Sequence, residues 1–210
     1  MRFNLCVFAS GNGSNLNAII KASLSGSISS RVSLVISNNS GSGALKTAAK
    51  YNIPHKHLSQ KLFSSQKELT KNILSELSKY KIDLILLAGY MKMLDPVIIR
   101  KYRNRIINIH PALLPKFGGK GMFGIHVHEA VLKAGAEVTG ASVHFVNEVY
   151  DSGAVILQRQ VKVMLGDDAL TLQKRVLRAE HKLYPEAIKL FEECRIKVSN
   201  NKVVIKKNKL

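Results

Sequence analysis

The chain is expected to fold as an α/β protein with a mostly parallel twisted sheet, and three features of the sequence lead there. Short apolar runs alternate with helix-like segments through the first half. No internal repeat or low-complexity linker interrupts them. After Pro115, two long strand-like runs follow one another with no helix between them. Strands separated by helices build parallel crossovers, whereas strands joined directly pair antiparallel.

The elements follow in order. Strands are expected at residues 4–9, 32–37, 84–88 and 106–110, and helices at 16–22, 44–51, 66–80 and 96–102. In the third helix, Leu69, Ile73, Leu74 and Leu77 form an apolar stripe of helical period, fit to pack on a sheet. This is a Rossmann-like first half. Residues 115–124 then read as a loop with four glycines and two lysines, followed by a short helix at 126–134. Residues 138–146 and 154–163 read as the antiparallel pair. A long C-terminal helix spans 168–191, with Asp167 or Asp168 placed to cap it. Residues 196–198 and 203–205, around Ser199-Asn200-Asn201, read as a small terminal hairpin. One domain covering residues 1–210 is expected, since that length lies within the ordinary range of a single domain.

Composition narrows the class. Hydrophobic residues make up 46% of the chain, aromatics 6%, and Trp is absent, so the core must be aliphatic. Met1-Arg2-Phe3-Asn4 lacks the features of a signal peptide, and no run approaches the roughly 20 apolar residues of a membrane helix. Two cysteines, Cys6 and Cys194, do not make a disulfide framework, so a cytoplasmic, reduced protein is expected. The net charge of +18 is the odd feature. It would suit a polyanionic partner, but the lysines are dispersed, without a dense basic run interleaved with aromatics, until the tail from Lys202 to Lys209.

Three groups of residues carry chemistry. Ser10-Gly11-Asn12-Gly13-Ser14-Asn15 lies between the first strand and the first helix. Glycines admit a ligand close to the backbone, and a helix start attracts phosphate. Leu16 stands where a dinucleotide fingerprint needs its third glycine, and no Gly-Lys-Ser/Thr makes a P-loop. A monophosphate cradle and an ordinary strand-to-helix joint both suit these residues. Ser40-Gly41-Ser42-Gly43 is similar and reads as an ordinary loop.

The second group is Asn108-Ile109-His110, at the carboxyl end of a strand, where open α/β sheets collect ligands. Alternation puts Asn108 and His110 on one side, an amide donor beside an imidazole that titrates near neutrality. The third is Asp151, in the turn between the late strands. It could be a turn residue before Ser152-Gly153, or a carboxylate that favours a charged imidazole at His110. His126 and His128, at i, i+2, do not share a helix face, and no metal is expected. His144 could line the cleft or sit hydrogen-bonded in the core.

These motifs, with Leu87-Ala88-Gly89-Tyr90-Met91-Lys92-Met93-Leu94, Asn108 to Pro115, Thr139 to Phe145, Asp151 to Gln158 and Glu180-His181-Lys182-Leu183-Tyr184-Pro185, resemble the phosphoribosylglycinamide formyltransferase family. The likeness spans essentially the whole chain and keeps the motif order. It implies a formyl transfer from 10-formyltetrahydrofolate, as donor co-substrate, to the amine of phosphoribosylglycinamide in purine biosynthesis. It implies Asn108, His110 and Asp151 as the catalytic trio. Gly13, Ser14, Asn15 and Glu180 would hold the phosphoribosylglycinamide; Met91, Lys92, Met93, Leu94 and Asn108 would hold the folate. Two departures stand out. Gln66, followed by Lys67, occupies a position where the family often has a folate-contacting arginine, and Gly119-Lys120-Gly121-Met122-Phe123 lengthens a loop near the site.

Rival readings share the core motif. Formylation of initiator tRNA would suit the charge, but that family carries a further C-terminal RNA-binding domain. Hydrolysis of the formyl folate would bring an extra N-terminal regulatory domain. A non-catalytic module would have no need for all three polar positions. Small-molecule substrates are therefore the expected partners, not nucleic acid or membrane.

Overall fold

The computed structural model describes residues 1–199 and 202–207. It divides into two compact units, Met1–Ile107 and Asn108–Leu210.

In the first unit, β1 (Asn4–Phe8), β2 (Arg31–Ser37), β3 (His55–His57) and β4 (Leu84–Leu87) form a parallel sheet in the order β3-β2-β1-β4, with β5 (Ile106–His110) next to β4. All four residues of β4 are buried, as expected for a central parallel strand covered on both faces. Helices α1 (Ser14–Leu24), α2 (Gly43–Lys50), α3 (Gln66–Lys79) and α4 (Pro96–Lys101) connect the strands, with a 3-10 turn at Gln60–Leu62. Their starts follow local chemistry: the side chains of Ser42, Ser65 and Asp95 accept from N–H groups of the first turns, and Pro96 opens α4. In α3 the stripe buries Leu69, Ile73 and Leu77, while Leu74 is half-buried.

The unit boundary falls inside β5. In the second unit β5 is followed by β6 (Val138–Phe145) and β7 (Val155–Lys162), an antiparallel pair whose register shifts between Val143 and His144. Helix α5 (Ile125–Lys133) precedes them and α6 (Ala169–Glu192) follows. Asp168 caps α6, accepting from Thr171 N–H at 2.7 Å, whereas Asp167 pairs with Arg175. Strands β8 (Ile196–Ser199) and β9 (Lys202–Ile205) form the terminal hairpin; Asn200 and Asn201, expected in its turn, lie outside the described residues. The fold is thus α/β with a mostly parallel sheet, an antiparallel late pair and a long final helix.

Candidate active site

Asn108 and His110 stand at the end of β5, and β6 and the turn after it bring His144 and Asp151 to the same place. His110 Nδ1 lies 3.6 Å from Asp151 Oδ2, although 41 positions separate them. Asn108 Nδ2 is 3.0 Å from His144 Nε2, which in turn is 3.5 Å from Asp151 Oδ1. Asp151 therefore sits between two imidazoles. Its other partner is the N–H of Gly119, which donates to Oδ2 at 2.9 Å. The lengthened loop thus reaches the site through the first of its residues.

The far end of His110 is also held. Nε2 lies 2.7 Å from the carbonyl oxygen of Phe117, which can only accept, so Nε2 carries the hydrogen. Phe117 adopts φ 55 and Asp151 φ 52. Left-handed backbone is costly for residues with side chains and gathers at functional sites. Nδ1, facing Asp151, is left as the nitrogen that gains and loses a proton.

Electrostatics at His110 differ from the sequence-based expectation. Asp151 and the Phe117 carbonyl do favour the charged ring, but burial disfavours it more, and His110 titrates below its ordinary value. The side chain is only 4% exposed, so desolvation outweighs one carboxylate at 3.6 Å. For Asp151 the balance is reversed: burial raises its pKa, yet contact with His144, the charge of His110 and the Gly119 N–H together hold it below the usual range.

The segment after His110 is clamped. Ser142 Oγ donates to the Ala112 carbonyl at 2.6 Å and accepts from Leu114 N–H at 3.0 Å; Gln158 Nε2 donates to both Ser142 Oγ and the Leu114 carbonyl. With its proton on Ala112 and both lone pairs engaged, Ser142 is a structural hydroxyl. His126 and His128 part company: His126 is exposed beside Glu129, and His128 is buried. Among the described residues no group of three or more His, Cys, Asp or Glu could hold a metal ion. Glu180 is buried on α6.

The first unit holds the other expected contact residues. Gly13 is the N-cap of α1 at φ 76, with no side-chain cap, and Ser14 and Asn15 open the helix. A Cβ at Gly13 would come within 2.7 Å of Ala44 Cα, and one at Gly43 within 2.6 Å of the Asn12 carbonyl oxygen, so the two glycine-bearing segments lie against each other. Ser10 Oγ donates to Asn38 Oδ1 and accepts from Met91 N–H at 2.9 Å, tying this loop to the Met91 stretch. Beside it is a cavity of about 670 Å³, whose lining includes Tyr90, Lys92, Met93, Leu94 and Gln66. Gln66 donates to Thr70 Oγ1 at 3.4 Å, and Thr70 donates to Asp95 Oδ2.

Sequence reasoning brought out Asn108, His110 and Asp151 but left His144 open and missed Phe117, Ser142 and Gln158. Polar residues at 139, 142 and 144 inside an apolar run were the available signal. A carbonyl such as that of Phe117 leaves no signal at all.

The chain is similar to known proteins over most of its length. A family model described as formyl transferase matches residues 3–188. A chloroplastic phosphoribosylglycinamide formyltransferase of Arabidopsis thaliana is 41% identical over 99% of this chain and 72% of its own length. The phosphoribosylglycinamide formyltransferase of Escherichia coli K12 is 38% identical over 94% of this chain and 91% of its own. The crystal structure of glycinamide ribonucleotide transformylase 1 from Symbiobacterium toebii superposes with a TM-score of 0.91, at 36% identity, over 97% of this chain and 94% of that one.

Proposed function

The chain belongs to the formyl transferase family, and from that premise we propose that it transfers the formyl group of 10-formyltetrahydrofolate to the amine of phosphoribosylglycinamide in purine synthesis. The observation that carries the mechanism is the Asn108–His110–Asp151 cluster, in which a buried His110 places Nδ1 3.6 Å from the carboxylate of the half-buried Asp151. Attack of an amine on a formyl carbon creates a negative oxygen and a positive nitrogen together. Asn108 N–H donates to the oxygen, an interaction worth about 3–4 kcal/mol, and His110, whose two nitrogens face the Phe117 carbonyl and Asp151, adds its charge once the ring is protonated. Asp151 draws the proton released by the amine toward Nδ1, directly or through a water, and holds the imidazolium once it forms. In the free protein burial keeps His110 largely neutral at pH 7, so the ring can take up that proton and return it to the folate nitrogen as the carbon–nitrogen bond to the donor breaks and tetrahydrofolate leaves. No step needs a metal or a covalent nucleophile.

Gly13, Ser14 and Asn15 would bind the substrate phosphate at the start of α1, where an uncapped helix end favours an anion. Glu180 would meet the glycinamide part. Met91, Lys92, Met93 and Leu94 would receive the pterin end, a reading supported by the adjoining cavity, whose volume falls in the range of small-molecule sites. We read both compact units as one formyltransferase domain, since a single family model runs across them. No helix of the described residues is long and apolar enough to cross a membrane, and we take the working compartment to be the cytoplasm.

The test is an assay of the purified protein with 10-formyltetrahydrofolate, offering phosphoribosylglycinamide, initiator tRNA or water as acceptor. Formylation of phosphoribosylglycinamide is expected to dominate. Transfer to tRNA, release of formate, or no turnover would overturn the proposal.

A further inference from the structure

His144 is 2% exposed, and the reaction as derived gives it no task. We infer that His144 is a positioning residue, whose bare Nε2 fixes which end of the Asn108 amide faces the substrate. The inference rests on the formyl-transfer reading of Asn108.

The tautomer follows from the neighbours. His144 Nδ1 lies 2.8 Å from the carbonyl oxygen of Phe145. A carbonyl only accepts, so Nδ1 carries the hydrogen, and in a neutral ring Nε2 is then a lone pair. Asn108 Nδ2, 3.0 Å away, can only donate. One bond satisfies both atoms, from an amide N–H of Asn108 to Nε2. It uses one of the two amide hydrogens and leaves the second for a developing oxyanion. Turned by 180°, the amide would set its oxygen against the lone pair of Nε2, which is repulsive.

Asp151 makes the ring's state matter. The same Nε2 lies 3.5 Å from Asp151 Oδ1. A charged His144 would donate there and would confront the NH₂ of Asn108 with a second donor, so the amide would have to turn. It would also divide the Asp151 charge between two rings. The orientation of Asn108 is thus set by one nitrogen.

The experiment has two parts. Nitrogen NMR of the full chain labelled in histidine is expected to show His144 protonated at Nδ1 and bare at Nε2 at pH 7. An Nε2–H tautomer or an imidazolium there would overturn the inference, whatever the activity. Kinetically, His144→Leu is expected to lower kcat by about 10-fold or more with little change in KM, less than the ~10²–10³ of deleting an oxyanion donor outright. His144→Gln, which can place an accepting oxygen near Nε2, should recover most of that loss. In an Asn108→Ala background, His144→Leu should cost within about twofold, because the interaction it serves is already gone. A full loss in that background, or equal losses for the Leu and Gln variants, would make His144 a packing residue and sink the idea. Absence of formyl transfer in the native protein would instead remove the functional reading and leave the NMR result standing.

Discussion

At His110 two opposing effects act on one ring. Burial lowers its pKa and the Asp151 carboxylate raises it, with burial the larger. Replacing Asp151 by Asn keeps the shape and removes the charge, so the His110 pKa should fall further below its ordinary value, as read by NMR titration. Turnover should fall about 10²-fold, the scale of general acid–base contributions, with a smaller effect on KM. Near-normal turnover, or an unmoved titration, would return Asp151 to the role of a turn residue. Asn108, His110 and Asp151 were legible because each is polar and placed at a strand end or a turn. His144 was not. Every residue of β6 after Val138 is buried, so alternation gives no indication of which face meets the site.

At the scale of elements, strand and helix positions were legible to within a residue or two, since apolar runs and Ser or Asp caps mark them locally. What could not be read was packing between elements, such as α2 against the loop before α1, which depends on Gly13 lacking a side chain. Helix α5 offers a test of buried charge. His128, 1% exposed with Nδ1 unpartnered, is pushed down to about 4 by burial and by the neighbouring charge of His110. The unfolded chain has a His pKa of about 6.5, so below that pH it binds the proton better than the native state does. Stability should therefore decline as pH falls from about 6.5 and level off near 4, where His128 itself protonates. Urea midpoints for the native protein and His128→Leu, measured across that window, should show a shallower acid decline in the variant. Parallel curves would mean that the ring titrates normally.

For the whole molecule, the net charge of +18 is the property that no single residue explains. We take it as a solvated, dispersed surface rather than a nucleic-acid site. A protein making several phosphate contacts loses about 10³–10⁵ in affinity between 50 and 200 mM salt. Titration with tRNA should accordingly show only weak association near physiological salt; tight binding with a steep salt slope would restore the tRNA reading. The position of the unit boundary, between Ile107 and Asn108, has a different consequence. It lies in the middle of β5 instead of in a linker, two residues ahead of His110 and directly before Asn108. A gene divided there would give one half a strand that stops short and the other its two polar site residues on a three-residue stub. Recombination that exchanges modules at loops would find no joint at this point, because a cut here severs a strand.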